Sequence, residues 1–231
     1  PGSVDGCSYR AVTREVPRQA VVFDLDGTLI DSLPLVLASI RHAIAPFGGT
    51  PTMEIFAHLG GPPESFMAKL VNDPAHVPEA LRRMLWYHQE YAHTIRPFAG
   101  ARVLLEQIRQ RGVKTALWTG RDRGTTETLL REYELDTLLA TVVCGDDLSS
   151  HKPDPAGLHE IMRRLDSPAA STLLVGDADV DVLGGHACGV DTVLIRHGRV
   201  IAPEIAAKSW QVVITPAEAY ARVRQCVEPL S

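Results

Sequence analysis

Residues 20–28 read Ala-Val-Val-Phe-Asp-Leu-Asp-Gly-Thr, a short apolar run that ends in two carboxylates and a glycine. Because side chains alternate along a strand, Asp24 and Asp26 should point to the same side of a sheet, at the carboxyl end of a strand. Open α/β sheets bind their ligands at that edge. Two carboxylates ~5 Å apart repel each other by roughly 3 kcal/mol at an effective dielectric of ~20, so they need a cation or a proton nearby. An acidic, oxygen-rich site of this kind suits Mg²⁺.

Six β-rich runs occur along the chain, and each is nearly continuous in apolar residues instead of alternating. Continuous runs indicate strands buried on both faces, as in a parallel sheet covered by helices. Helical patterns lie between the later runs, so we predict a Rossmann-like, three-layer α/β core. The predicted strands are residues 20–24, 113–118, 141–144, 172–175, 192–195 and 212–214. The predicted core helices are residues 100–111, a helix capped by Asp122 that runs to about Tyr133, a helix with Pro155 at its first position, and a helix opened by a capping box at residues 215–218.

The spacing of the strands breaks once, between the first and the second. About 86 residues separate Asp26 from Val113, whereas a strand-helix-strand unit of ~30 residues is normal. The extra length is too long for a bare loop and carries helical patterns at residues 35–45, 65–71 and 78–95. We predict an all-helical cap domain at residues 34–96, inserted into a core of residues 20–33 and 97–231, with residues 1–19 as a flexible leader. Trp86, Tyr87 and Tyr91 are expected in the core of the cap.

Polar side chains also follow the later strands. Thr119 and Gly120 end the second run, where a hydroxyl and a backbone N–H can hold a phosphate. Lys152 follows the third run, and the segment from Gly176 to Asp181 adds an acidic cluster after the fourth. One cation, one hydroxyl and several carboxylates are therefore expected at the same edge of the sheet as Asp24 and Asp26.

Composition excludes several classes of function. The 231 residues include 23 Lys and Arg against 28 Asp and Glu, for a formal net charge of −5, and the basic residues form no cluster. Nucleic-acid binding is therefore not expected. No apolar stretch reaches the ~18 residues of a membrane span, so no membrane partner is expected. The four cysteines are scattered, which fits a reducing, cytoplasmic compartment and gives no zinc signature.

Four short motifs follow one another along the chain: Asp-Leu-Asp-Gly-Thr at residues 24–28, Thr119, Lys152-Pro153 and Gly-Asp-Ala-Asp-Val-Asp at residues 176–181. In this order they resemble the four sequence motifs of the haloacid dehalogenase superfamily. The resemblance covers nearly the whole chain from about Ala20. Residues 29–32 and the inserted helical segment resemble the branch of that superfamily with a helical cap. Phosphoglycolate phosphatases, β-phosphoglucomutases and pyrophosphatase-like phosphatases belong to this branch.

The resemblance implies a role for each acidic residue. Asp24 would be the nucleophile that forms an aspartyl phosphate, and Asp26 would be the general acid and then the base. The carboxylate of Asp24, the backbone carbonyl of Asp26 and Asp177 would hold Mg²⁺. Asp181 would bind the metal through water or orient its ligands.

The resemblance also implies a phosphate site. Thr119 and the N–H of Gly120 would hold phosphate oxygens, and Lys152 would pair with the phosphate and with Asp24. The function implied is Mg²⁺-dependent hydrolysis of a small phosphorylated metabolite by a monomer or a small homo-oligomer.

Four other functions stay open on the sequence. A mutase of the β-phosphoglucomutase kind would use the same two aspartates but pass the phosphate to a sugar. A dehalogenase needs neither Asp26 nor the cluster at Asp177. A response-regulator receiver is shorter and lacks an inserted cap. A non-catalytic binding protein would have lost the nucleophile or the lysine.

Several residues near the motifs have no role fixed by the four motifs themselves. Thr28 is expected to bond within its turn and to support Asp26. Arg121 either reaches the substrate or has a structural role at a helix start. His88 and His93 are interpreted as surface or packing residues, and His151 as a loop residue. Asp179 is interpreted as an acid at a helix N-terminus. Candidate substrate contacts in the cap are the loop of residues 60–63, His58, Lys69 and Arg96.

Overall fold

A computed structural model describes residues 17–48 and 63–227, with the backbone alone at residues 63–65. Residues 1–16 of the predicted leader, His58 and residues 60–62 lie outside this part of the chain. The strands are β1 (Ala20–Phe23), β2 (Ile30–Asp31), β3 (Arg96–Pro97), β4 (Lys114–Trp118), β5 (Thr141–Val143), β6 (Thr172–Gly176), β7 (Asp191–Ile195) and β8 (Gln211–Val213). The helices are α1 (Leu33–Ile44), α2 (Pro63–Leu70), α3 (Val77–Tyr91), α4 (Ala101–Gln110), α5 (Arg123–Glu132), α6 (Ala156–Leu165), α7 (Asp179–Ala187), α8 (Pro203–Ala206) and α9 (Pro216–Val227).

Six strands form one sheet in the order β5-β4-β1-β6-β7-β8. Every neighbouring pair in this sheet is parallel. The six predicted strands are therefore confirmed, with ends that differ by at most one residue. Strand β1 lies between β4 and β6, which places the two aspartates that follow it near the middle of the carboxyl edge.

Alternate residues of β1 pack into two different hydrophobic clusters. Val21 and Phe23 belong to a cluster that includes residues of α4, α5 and α9. Ala20 and Val22 belong to a cluster that includes residues of α6. Both faces of the sheet are therefore covered by helices, which explains why the strands are apolar on both sides. The predicted three-layer core is confirmed.

The helix boundaries follow local signals, with two corrections. Asp122 caps α5 as predicted, because its carboxylate accepts from the backbone N of Thr125 at 2.8 Å. Pro155 is the N-cap of α6 and not its first helical residue. At the start of α9, Thr215 Oγ1 accepts from the backbone N of Glu218, but the Glu218 carboxylate accepts from Ile214 and not from Thr215. Among the described residues, no helix has both the length and the apolar character of a membrane span.

Helices α2 and α3 lie within the segment predicted as a cap, and α1 begins at Leu33, one residue before it. Buried side chains from all three pack together in a separate apolar cluster around Ile44, Met67 and Ala80. The prediction for the aromatic residues is wrong in part, because Trp86 is 54% exposed and Tyr91 is 39% exposed. Tyr87 is half-buried and packs against the main core cluster instead. The division of the chain into cap and core domains stays our proposal.

A second, two-stranded sheet was not predicted. Strand β2 pairs antiparallel with β3, with Ile30 opposite Pro97 and Asp31 opposite Arg96. These strands are two residues long, so they carry no sequence periodicity. The pairing of β2 with β3 holds together the two ends of the segment that we propose as a cap.

Candidate active site

The predicted site residues come from the ends of neighbouring strands. Asp24 follows β1, Thr119 follows β4, Lys152 lies in the connection after β5, and Asp177 follows β6. All four side chains are buried. The carboxyl edge of the sheet therefore collects an acid, a hydroxyl, a cation and a second acid from residues up to 153 positions apart in the chain.

Three carboxylates and one ammonium group form the centre of the site. Asp24, Asp177 and Asp181 each offer one oxygen atom, and these atoms lie within 4.8 Å of one another. Lys152 Nζ donates to Asp24 Oδ1 at 2.7 Å and to Asp181 Oδ1 at 2.6 Å. The ammonium group also lies 4.8 Å from the centre of the Trp118 ring.

The charge of this centre is incompletely balanced. Burial raises the pKa of Asp24 to about 7, although Lys152 opposes the shift. Burial and the neighbouring Asp24 and Asp181 carboxylates raise the pKa of Asp177 well above its usual range. Burial alone would lower the pKa of Lys152, but Asp181 and Asp24 outweigh it and raise this pKa. Lys152 donates to Asp24 and Asp181 but not to Asp177. The three buried carboxylates therefore offer a donor set that fits a hard divalent cation with oxygen ligands, such as Mg²⁺.

Gly27 allows the turn after β1 to approach Asp177. Its φ of +72° lies in the left-handed region that favours glycine. A Cβ atom at this position would lie 2.6 Å from Asp177 Cγ, which is closer than atoms in contact allow. The glycine of the first motif therefore makes room for an acid of the fourth.

The carboxylate of Asp26 is not part of the acidic cluster. Arg121 Nη2 donates to Asp26 Oδ1 at 2.5 Å, and Arg121 Nε donates to Oδ2 at 3.1 Å. Ser32 Oγ also donates to Oδ1, at 2.5 Å. Burial would raise the pKa of Asp26, but the Arg121 guanidinium and the Ser32 hydroxyl outweigh it, so this pKa lies below its usual value.

Thr28 does not support Asp26 as predicted. Its Oγ1 is buried and has no hydrogen-bond partner among the described residues. Ser32, at the end of the same turn, donates to Asp26 instead. The threonine contributes its backbone, since its carbonyl accepts from the hydroxyl of Tyr220 at 2.6 Å.

His88 is half-buried and packs against Arg121, a contact that the sequence did not predict. Its Nε2 is 3.2 Å from Arg121 Nη1. A guanidinium only donates, so Nε2 must be the acceptor and the ring proton must sit on Nδ1. Burial and the Arg121 charge lower the pKa of His88, which keeps the ring neutral near pH 7. His93, in contrast, is exposed as predicted.

Thr119 and Gly120 lie beside Lys152 at the wall of a small hollow. Thr119 is buried, and its Oγ1 accepts from the backbone N of Arg121 at 3.1 Å. Gly120 is exposed. The hollow is lined by Trp118, Thr119, Gly120, Ser150, His151 and Lys152, together with residues of the loop after β5. A small anion that entered here would meet the threonine hydroxyl, the glycine backbone and the lysine.

The loop after β7 contributes two residues that the sequence reasoning missed. His197 Nε2 lies 2.6 Å from the carbonyl oxygen of Gly27. Arg199 Nη2 donates to the carbonyl of Asp177 at 2.6 Å, and its Nη1 pairs with Asp179 at 3.3 Å. Asp179 is the first residue of α7, as predicted. Their position at the end of a strand of the same sheet was the signal that could have found them.

The cap residues named from sequence have no described contact with the acidic cluster. Lys69 is exposed on α2. The Arg96 guanidinium donates to the carbonyls of His93 and Ile95, at 2.5 and 2.6 Å. Of the segment predicted as a cap, the described residue that reaches the site is His88.

The sequence profile of the haloacid dehalogenase-like hydrolases matches residues 21–195. The chain belongs to this family. It is 33% identical over 199 residues to a phosphoglycolate phosphatase of Pseudomonas syringae pv. syringae, a match that covers 80% of this chain and 73% of the relative. It is 30% identical over 187 residues to the pyrophosphatase PpaX of Halalkalibacterium halodurans, which covers 77% of this chain and 83% of that one.

Solved structures show the same fold. A hydrolase from Pseudomonas syringae superposes with a TM-score of 0.75 at 23% identity, and the match covers 91% of this chain and 100% of that one. Together with the family match, this confirms the resemblance stated from the motifs, the fold class and the assignment to a phosphatase-type hydrolase.

Proposed function

We propose that this protein hydrolyses a small phosphorylated metabolite through an aspartyl phosphate on Asp24, with Mg²⁺ as cofactor. The observation that carries the proposal is the buried cluster of Asp24, Asp177 and Asp181 around Lys152. Three buried carboxylates that lie this close together favour a divalent metal beside the nucleophile. Phosphoglycolate and related small phosphomonoesters are the proposed substrates, supported by the names of the curated relatives.

In the first step, an oxygen of Asp24 attacks phosphorus and the bond to the leaving oxygen breaks. Lys152 donates to the same carboxylate and so favours its ionised, nucleophilic form. Asp26 is proposed to give a proton to the leaving oxygen. In the second step, water attacks the phosphorus of the aspartyl phosphate, Asp26 takes its proton, and the P–O bond to Asp24 breaks.

The phosphoryl oxygens need donors throughout both steps. Thr119, the N–H of Gly120 and Lys152 are proposed to supply them, because they line one hollow and Lys152 also contacts Asp24. The carboxylates of Asp24 and Asp177 and the backbone carbonyl of Asp26 would hold Mg²⁺, with Asp181 orienting this set. When bound, the metal would neutralise charge that develops on the phosphoryl group.

The test is phosphate release from a panel of small phosphorylated compounds, with Mg²⁺ and with EDTA. The panel should include 2-phosphoglycolate, sugar phosphates, nucleotides and pyrophosphate. We expect metal-dependent release from at least one member, and a loss of at least about a thousandfold for Asp24→Asn. Asp136→Asn, at an exposed acid, is the matched control and should keep the wild-type rate.

Two outcomes would contradict the proposal. An Asp24→Asn variant that releases phosphate at the wild-type rate would exclude Asp24 as the nucleophile. Transfer of phosphate to a sugar without net release would favour the mutase instead. The cytoplasmic location inferred from the scattered cysteines also stays a proposal.

A further inference from the structure

Both carboxylate oxygens of Asp26 are occupied by donors. Arg121 binds Oδ1 and Oδ2 in a two-pronged contact, and Ser32 adds a second donor to Oδ1. A general acid must point one protonated oxygen at the leaving group. A carboxylate has about four lone-pair sites, and these three donors fill most of them. A protonated Asp26 would also no longer balance the guanidinium charge, so Arg121 needs another anionic partner when Asp26 acts on a substrate.

Arg121 cannot release Asp26 without another partner. Its side chain is only 10% exposed, and a buried cation that loses its counter-ion is costly. Two other acids act on the Arg121 charge, and both have partners. Asp122 is the N-cap of α5, where its two oxygens accept from the backbone and hydroxyl of Thr125, and Asp24 accepts from Lys152. The replacement partner must therefore come from outside the described side chains.

The surroundings of Arg121 show where that partner would lie. Thr119, Gly120 and Lys152 are the proposed donors to the transferred phosphoryl group, and all three line one hollow. Arg121 is the next residue after Gly120, but it is not among the residues that line this hollow. Arg121 instead faces Asp26, the residue that meets the leaving oxygen. His88, from α3, lies against Nη1 of the same guanidinium. An anion at Arg121 would thus belong to the leaving part of the substrate.

We propose that Arg121 and His88 form a subsite for an anionic group on the leaving part of the substrate, either a carboxylate or a second phosphate. The guanidinium would move from Asp26 to this anion, and the proton on His88 Nδ1 would remain available for a hydrogen bond. Substrates with a neutral leaving part would leave Arg121 on Asp26 and react more slowly. This inference rests on the proposed function and adds the class of substrate to it.

The experiment compares matched pairs of substrates that differ in charge at the leaving part. The first pair is 2-phosphoglycolate and 2-hydroxyethyl phosphate, in which a hydroxymethyl group replaces the carboxylate. The second pair is pyrophosphate and 4-nitrophenyl phosphate, whose nitrophenyl group is neutral and whose leaving oxygen has a basicity similar to that of phosphate. We expect the wild-type kcat/KM to favour the anionic member of at least one pair by roughly 10- to 100-fold. The pair with the larger ratio identifies the anion as carboxylate or phosphate.

The variants test which residues produce the ratio of kcat/KM between the anionic and the neutral substrate of a pair. Arg121→Met should reduce it to about threefold or less, and Arg121→Lys, which keeps a charge but not the two-pronged geometry, should give an intermediate ratio. His88→Gln should lower the ratio in the same direction but by a smaller factor. Arg131→Met and His93→Gln are matched controls at exposed positions, and both should keep the wild-type ratio.

The outcomes separate this inference from the proposed function. Equal kcat/KM for both members of both pairs in the wild type would overturn the inference and leave the phosphatase standing. An equal loss on both members in Arg121→Met and Arg121→Lys would also overturn it, because Arg121 would then only position Asp26. If Arg121→Met does not fold, the Arg121→Lys and His88→Gln ratios decide. No phosphate release from any substrate with Mg²⁺ would overturn both proposals.

Discussion

At the scale of single residues, the site depends on close approach between groups that are distant in the chain. Gly27 lies in the turn after β1, and Asp177 lies after β6, yet no side chain larger than hydrogen fits between them. Lys152 likewise connects Asp24 with Asp181 through two short hydrogen bonds. The position of each acid therefore depends on residues from other strands.

Gly27→Ala should disrupt the acidic cluster more than backbone strain alone would. The control is Gly112→Ala, because Gly112 has nearly the same φ, +73°, but a Cβ there meets no atom within 4 Å. The left-handed conformation should cost about 1–2 kcal/mol in both variants. Gly27→Ala should lose at least about 1 kcal/mol more in the free energy of unfolding, because its methyl group displaces the Asp177 carboxylate.

Urea unfolding with and without Mg²⁺ measures this difference. Gly112→Ala should retain the stabilisation by Mg²⁺, and Gly27→Ala should lose most of it. Equal losses of stability in the two variants would mean that the turn can move away from Asp177 without cost.

Sequence reasoning found the site residues that follow strands β1, β4, β5 and β6. It missed His197 and Arg199 after β7, and it missed His88, which meets the site only in three dimensions. Asp24, Lys152 and Asp177 could be placed together because parallel strands share a carboxyl edge. The contact from Arg121 to Asp26 spans 95 residues, and the contact from Arg121 to His88 spans 33. No local sequence pattern marks His88, because the packing of α3 in the fold, and not an apolar stripe, determines what this side chain contacts.

At the scale of elements, the last helix braces the first motif. Tyr220 of α9 is fully buried, and its hydroxyl donates to the carbonyl of Thr28 at 2.6 Å. The turn that carries Asp24 and Asp26 is therefore held by a residue almost 200 positions later in the chain. Burial raises the pKa of Tyr220 well above its usual value, so it stays a protonated donor at neutral pH.

Tyr220→Phe should lower the free energy of unfolding by about 1–3 kcal/mol, because the Thr28 carbonyl is left buried without this donor. The matched control is Tyr133→Phe. Its hydroxyl donates to the Ile95 carbonyl at the same 2.6 Å, but at a partly buried site where water can replace it. Equilibrium unfolding in urea should therefore show a smaller loss for Tyr133→Phe, and an equal loss in both would argue against the special role of α9.

The elements that the sequence predicted well are the apolar strands of the main sheet, which are almost wholly buried except for β5 and β8 at its two edges. The strands of the main sheet are apolar on both faces, so short runs were enough to place all six. Trp86 and Tyr91 were misplaced because an aromatic residue on an isolated helix can face the apolar cluster or solvent, and composition does not distinguish the two. Strands β2 and β3 were missed because two residues are too few to show an alternation.

At the scale of the whole molecule, stability should depend on pH through the acidic cluster. The pKa of Asp24 is raised from its ordinary value of 3.8 to about 7 in the folded protein. A raised carboxyl pKa contributes stability that is fully present below about pH 4 and is lost as the pH rises through about 7. The raised pKa of Asp177 acts in the same direction. Without metal, the wild type should therefore become less stable relative to Asp24→Asn as the pH rises from about 5 to 8.

Mg²⁺ should reverse this loss, and its effect should grow with pH because protons compete for the same carboxylates. At a concentration about 100 times the Kd, Mg²⁺ should add about 2.7 kcal/mol, which corresponds to roughly 5–10 °C in Tm for a chain of this size. Thermal unfolding at pH 5.5 and pH 8, in Mg²⁺ or in EDTA, measures both effects. The same Mg²⁺ shift at both pH values would show that Asp24 is not protonated in the metal-free protein.

The small pairing of β2 with β3 has a consequence for how such a protein can change over evolutionary time. Strands β2 and β3 pair antiparallel, so the segment that joins them begins and ends at neighbouring positions in the fold. Substitution, lengthening or exchange of that segment need not alter the spacing between the six parallel strands or the carboxylates that follow them. If the segment proposed as a cap sets selectivity, exchange of this one segment would change the substrate and leave the proposed catalytic groups in place.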